Sequence, residues 1–139
     1  MELSIDTSSS TASLALSQDE AILAELTWHC GQNHSVELIP AINKLMEMVR
    51  VERSLLMGII VAKGPGSFNG LRVGMATAKG LAYALKIPVV GISTLEVEAF
   101  PHLTAGLPVC PIHNAGRGEI AVALFQRQGD QRIRLWEEQ

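Results

Sequence analysis

The segment Met57–Gly74 constrains this chain more than any other. Met57–Ala62 (M-G-I-I-V-A) is apolar at consecutive positions, the mark of a strand in the middle of a sheet, covered on both faces. It runs into a glycine-rich loop, Lys63–Gly70, and then into a helical repeat expected from Leu71 to Leu85. Ile87–Ile92 (I-P-V-V-G-I) reads as a second buried strand, which closes a βαβ unit. Upstream, Glu2–Asp6, Thr11–Ser17 and Ala21–Trp28 are short runs joined by Thr7–Ser10 and Gln18–Glu20. Links that short force an antiparallel meander. Ser35 can cap a helix to Arg50, with Leu38, Ile42, Leu45 and Val49 in one stripe and Pro40 in the early turns. Downstream come a short helix, Thr94–Phe100, and strands Leu107–His113 and Glu119–Gln126 joined through Asn114–Gly118, with Ile133–Trp136 opening another.

The order βββ-α-β-α-β-(α)-ββ(β) is of the α/β class and describes an RNase H-like lobe of the actin-like ATPase (ASKHA) superfamily. Residues 1–100 read as the first lobe and 101–139 as the start of a truncated second lobe. With 47% hydrophobic, 18% charged and only 4% aromatic residues, the 139-residue chain must build an aliphatic core. Disorder is excluded. The net charge of −3 argues against a stand-alone nucleic-acid binder. That charge is unevenly spread. Met1–Arg53 holds eight acids and three bases, whereas Ser54–Leu95 holds Lys63, Arg72, Lys79 and Lys86 with no acid. Such a block suits an anion or an acidic partner surface, or simply four bases on an apolar segment. Cys30 and Cys110 form no CxxC pattern, and MELSIDTSSS lacks the basic and apolar regions of a signal peptide. No apolar run reaches membrane-spanning length, so a cytoplasmic location is the expectation.

The candidate chemistry centres on Gly64, Gly66, Ser67 and Gly70, between a buried strand and a helix, where backbone N–H groups favour an anion. No Gly-Lys-Ser/Thr closes the loop, so it is not a Walker A motif. The spacing G-x-G-x-x-x-G approaches a dinucleotide fingerprint, yet I-P-V-V-G-I offers no acid for a ribose. A tight turn with close packing explains the same glycines. Asp6 is either a carboxylate beside a nucleotide or a turn residue bonding the backbone at Ser8 or Ser9. Ser67 has no His/Asp partner at local spacing. His29, His102 and His113 fall on different elements without metal-ligand spacing, so no metal, cofactor or catalytic residue is expected.

Longer stretches carry a resemblance. They are Ile5–Ser8, His34–Pro40 (H-S-V-E-L-I-P), Gly64–Arg72 (G-P-G-S-F-N-G-L-R), Pro88–Glu96 and Pro111–Glu119. In order and spacing they resemble the TsaB (YeaZ-like) family, accessory subunits of the bacterial complex that makes threonylcarbamoyladenosine beside the tRNA anticodon. Three positions depart from the family pattern. Asn69 stands where Thr is usual, and Asn114 and Gly116 replace an Asp and an Arg in the later hairpin. The resemblance implies a non-catalytic scaffold that pairs with the catalytic paralogue TsaD, through it with the ATPase subunit TsaE, and with tRNA only indirectly. It also implies that TsaD holds its metal through two histidines four apart on a helix; the matching helix here has His34 and then Leu38. Against it stands a small nucleotide-binding or hydrolytic enzyme, ATP-dependent or glycoprotease-like, built on Gly64–Gly70.

The expected partner surface is the helix pair at 35–50 and 71–85, side by side on one sheet face. Leu38, Ile42, Leu45 and Val49 are assigned to it, with Ile39 and Met46 widening the arc beyond what one buried stripe needs. Gly74, Ala78 and Ala82 form a small-residue notch, with Arg72 beside it. The notch could equally let the helix sit flat on its own sheet. Without a partner, the chain is expected to self-associate as a two-fold dimer through this face.

Overall fold

The computed structural model describes residues 1–104 and 106–138, with the backbone alone at 116 and 132–138. It comprises two compact units, Met1–Lys63 with Ser67–Gly91, and Gly64–Gly66 with the chain from Ile92 onward.

In the first unit the alternating runs become β1 (Glu2–Asp6), β2 (Thr11–Gln18) and β3 (Ala21–His29), paired antiparallel as the short links require. Leu3 opposes Leu16 and Ile5 opposes Leu14, so four aliphatic side chains share one face. β4 (Gly58–Ala62) lies parallel to β1 and central, and β5 (Val89–Ile92) completes the order β3-β2-β1-β4-β5. α1 (His34–Met48) and α2 (Phe68–Leu85) cover the face carrying Leu3, Ile5, Leu14, Leu16, Ile59 and Val61. Fully burying an aliphatic side chain contributes about 1.5–3 kcal/mol, so this layer dominates the unit's stability.

Three expectations change. β5 is not buried: as the sheet's edge strand it leaves Val90 59% exposed. α1 starts one residue before Ser35, with Asn33 at its cap position making no side-chain bond. α2 starts three residues early, because Ser67 accepts a hydrogen bond from the Gly70 N–H at 3.3 Å and caps it.

The second unit holds α3 (Thr94–Ala99) and the antiparallel strands β6 (Ile112–Gly116), β7 (Glu119–Gln128) and β8 (Gln131–Glu138), in the order β6-β7-β8. α3 belongs to this unit, since its Leu95 and Ala99 pack with Ala121, Ala123 and Phe125. Leu107–Pro111 is not a regular strand, although Val109 exchanges two backbone bonds with Phe125. The hairpin turns on Arg117 and Gly118, both at positive φ, which leaves Asn114 inside β6.

Candidate functional site

After β1 the chain must reverse within four residues, and its polar side chains do that work. Asp6 Oδ1 accepts from the Ser8 N–H at 2.9 Å, an Asx turn, so the turn role is the one its geometry shows. Thr7 is fully buried, and its hydroxyl donates to the Gly70 carbonyl at 2.7 Å. A Cβ on Gly70 would lie 2.2 Å from the Thr7 carbonyl oxygen, and one on Gly74 2.1 Å from Thr7 Oγ1. Both glycines are therefore demanded by the β1–β2 turn. The Ser67 N–H donates to the Ser8 carbonyl at 2.6 Å. His34, 3% exposed, lies 2.8 Å through Nε2 from the Ser9 carbonyl. A carbonyl only accepts, so Nε2 carries the proton.

The sequence-derived anion residues thus divide. Asp6, Ser67 and Gly70 belong to the first unit and are engaged in turn and cap bonds. Gly64 and Gly66 pack with the second unit, where the Gly64 carbonyl accepts from the Thr94 N–H at 3.0 Å. Among the described residues no group of three His, Cys, Asp or Glu side chains is placed to hold a metal. In the second unit, Glu98 and His113 pair at 3.1 Å. Cys30 is buried; burial first, then the Glu37 charge, pushes its thiol pKa up and keeps it protonated. No described helix is long and apolar enough to cross a membrane.

The residues assigned to the partner surface fall mostly on the inner sides of the two helices. Leu38, Ile42, Leu45, Gly74, Ala78 and Ala82 are buried within the first unit, and Val49 is half-buried against the same core. Met46 is buried too, whereas Ile39, the other residue that widens the arc, is exposed. The small-residue stripe lets α2 approach the β1–β2 turn and the sheet. Only Arg72 of the set is solvent-exposed.

The surface that does face water is the opposite stripe of α2: Phe68, Arg72, Ala76, Lys79 and Tyr83. Phe68 is 72% and Tyr83 88% exposed, and the Arg72 guanidinium stands 5.3 Å from the Phe68 ring centroid. Val36 and Ile39 add exposed apolar side chains on α1. Helical spacing from Phe68 could have found this stripe, had the start of α2 been placed at the Ser67 cap. Because α2 begins at Phe68, Arg72 lies in the second turn, where the dipole cost expected for a first-turn cation has faded.

Gln32, His34, Ser35, Asn69, Arg72, Val73 and Ala76 line a cleft of about 490 Å³ between the two helices. On the other side of α1, an apolar groove of about 410 Å³ runs along Leu26, Trp28, Val36 and Pro40, where Trp28 Nε1 donates to Glu37 at 2.9 Å.

Comparison with known proteins places this architecture. The family model described as "TsaD: tRNA N6-adenosine threonylcarbamoyltransferase" matches residues 28–139. The Bacillus subtilis tRNA threonylcarbamoyladenosine biosynthesis protein TsaB is 38% identical over 89% of this chain and 54% of its own length. The Escherichia coli TsaB protein is 31% identical over 90% of this chain and 54% of its own length. YeaZ from Pseudomonas aeruginosa superimposes with a TM-score of 0.88 at 27% identity, covering 99% of this chain and 65% of that one. The chain therefore spans about half the length of these curated relatives. Its fold is the α/β architecture of the YeaZ structures and of the actin-like ATPase class, and homologues named for tRNA threonylcarbamoyladenosine biosynthesis tie it to that pathway. The chain belongs to the TsaD threonylcarbamoyltransferase family and, within it, to the TsaB/YeaZ members.

Proposed function

We propose that the chain is a non-catalytic scaffold subunit that heterodimerises with the catalytic paralogue TsaD and supports threonylcarbamoyl transfer to the adenosine beside the tRNA anticodon. Through TsaD it meets TsaE, and it contacts tRNA only indirectly. The observation that carries this reading is the α2 stripe Phe68–Arg72–Tyr83 with Ile39 of α1. Exposed aromatic and arginine side chains are the types that anchor protein interfaces. Fifteen residues of helix separate Phe68 from Tyr83, a span of ~22 Å, enough for a helix-pair contact. Alone, the chain pairs with a second copy through the same face.

The polar residues of the loop support the scaffold role from the other side. Asp6, Thr7 and Ser67 each have a structural hydrogen bond that holds the turn and the helix in place. Co-purification with TsaD, followed by a transfer assay with and without this chain, tests the reading. The expected result is no turnover by this chain alone and faster transfer in the complex. Turnover by the purified chain alone, abolished by Asp6→Ala or Ser67→Ala, overturns it.

A further inference from the structure

We propose that the cleft between α1 and α2 receives a carboxylate side chain from the partner, with Arg72 as its specificity-determining contact. This rests on the docking face proposed above and adds the chemistry of what docks there. Arg72 is exposed, forms no ion pair among the described residues, and is oriented by its contact with Phe68. Gln32, Ser35 and Asn69 line the same cleft, and their side chains have no hydrogen-bond partner among the described residues. One fixed cation among neutral hydrogen-bonding groups selects an anion, and a planar guanidinium suits a carboxylate held by two parallel bonds. Residues 54–95 contain no acid of their own to occupy it.

A protein carboxylate fits better than a free small anion. Phe68, whose ring lies under the Arg72 guanidinium, is 72% exposed, and Ile39 lies one turn along α1 from Ser35. A small anion would leave that apolar surface in water. A side chain arriving on a partner surface would cover it while filling the cleft.

The test is the affinity of the full chain for TsaD, measured for wild type, Arg72→Ala, Arg72→Lys and Tyr83→Ser at low and high salt. Arg72→Ala should weaken binding at least tenfold and flatten its salt dependence. Arg72→Lys should recover only part, because an ammonium cannot reproduce the fork. Tyr83→Ser should weaken binding with the salt dependence intact. Wild-type affinity in Arg72→Ala beside a loss in Tyr83→Ser overturns the carboxylate contact and leaves the docking face standing. No change in either variant overturns the docking face as well. A thermal-shift arm with inorganic phosphate and with acetate separates the sources of charge. Phosphate stabilisation of the wild type that vanishes in Arg72→Ala, with partner affinity unchanged, makes the cleft a small-anion site and overturns the proposal.

Discussion

The two faces of α2 are made of different residues for different reasons. One carries Gly70, Gly74, Ala78 and Ala82, and is closed against the β1–β2 turn and the sheet; the other carries Phe68, Arg72, Lys79 and Tyr83, and faces water. The small face looks like an invitation to a neighbouring helix and is in fact filled by the chain's own Thr7 and core. The large face resembles ordinary helix surface in sequence, yet it is where aromatic side chains are left uncovered. Small residues at i, i+4 spacing report a close approach without saying by what.

That contrast can be broken by experiment. Ala78→Arg should have the largest effect, because Ala78 is 0% exposed and the substitution buries an unpaired charge. The expected result is loss of cooperative unfolding in a thermal melt; a folded variant would mean that this face opens to solvent. Gly74→Ala comes next. Its new methyl would meet the hydroxyl of buried Thr7, and overpacking of this kind costs about 1–3 kcal/mol, readable by urea denaturation. Wild-type stability in Gly74→Ala would show that Thr7 does not fix the spacing.

Thr7→Val keeps the shape but leaves the Gly70 carbonyl without its buried donor, a loss of about 1–3 kcal/mol. Combining it with Gly74→Ala sharpens the comparison. The two should be markedly non-additive in a double-mutant cycle, since they act on one contact. Ser67→Ala removes the α2 cap and should cost about 1 kcal/mol. On the open face, Tyr83→Ser should change stability by no more than about 0.5 kcal/mol, while its self-association, read by analytical ultracentrifugation, falls. A large stability loss there would place Tyr83 in the fold rather than at an interface.

Much of this architecture is legible in the residue pattern because it depends on local periodicity. The alternation in β1 and β2, the doubly apolar β4 and the Leu38/Ile42/Leu45 stripe each state which face must leave water. The short links at Thr7–Ser10 and Gln18–Glu20 leave the meander no other topology. Position within a sheet is different. Ile87–Ile92 is as apolar as β4, yet β5 lies at the edge, because burial depends on what pairs beyond a strand, and its own residues do not encode that. The boundary between the units likewise followed from α3 packing its Leu95 and Ala99 on β7, a contact between distant segments.

The candidate site shows the same division. The sequence alone placed Asp6 at the end of a strand, before a turn-forming cluster, and Ser67 and Gly70 in the loop that precedes a helix, since Asp, Ser and Gly are the residues that favour turns and helix starts. The tertiary structure alone decided that Thr7 lies against Gly70 and Gly74, that His34 reaches the Ser9 carbonyl, and that Arg72, beside Phe68, has no ion-pair partner among the described residues. Those contacts join distant residues, Thr7 and Gly70 lying 63 positions apart. Their geometry comes from the layering of two helices on one sheet, and no local pattern specifies which side chain a distant glycine will meet.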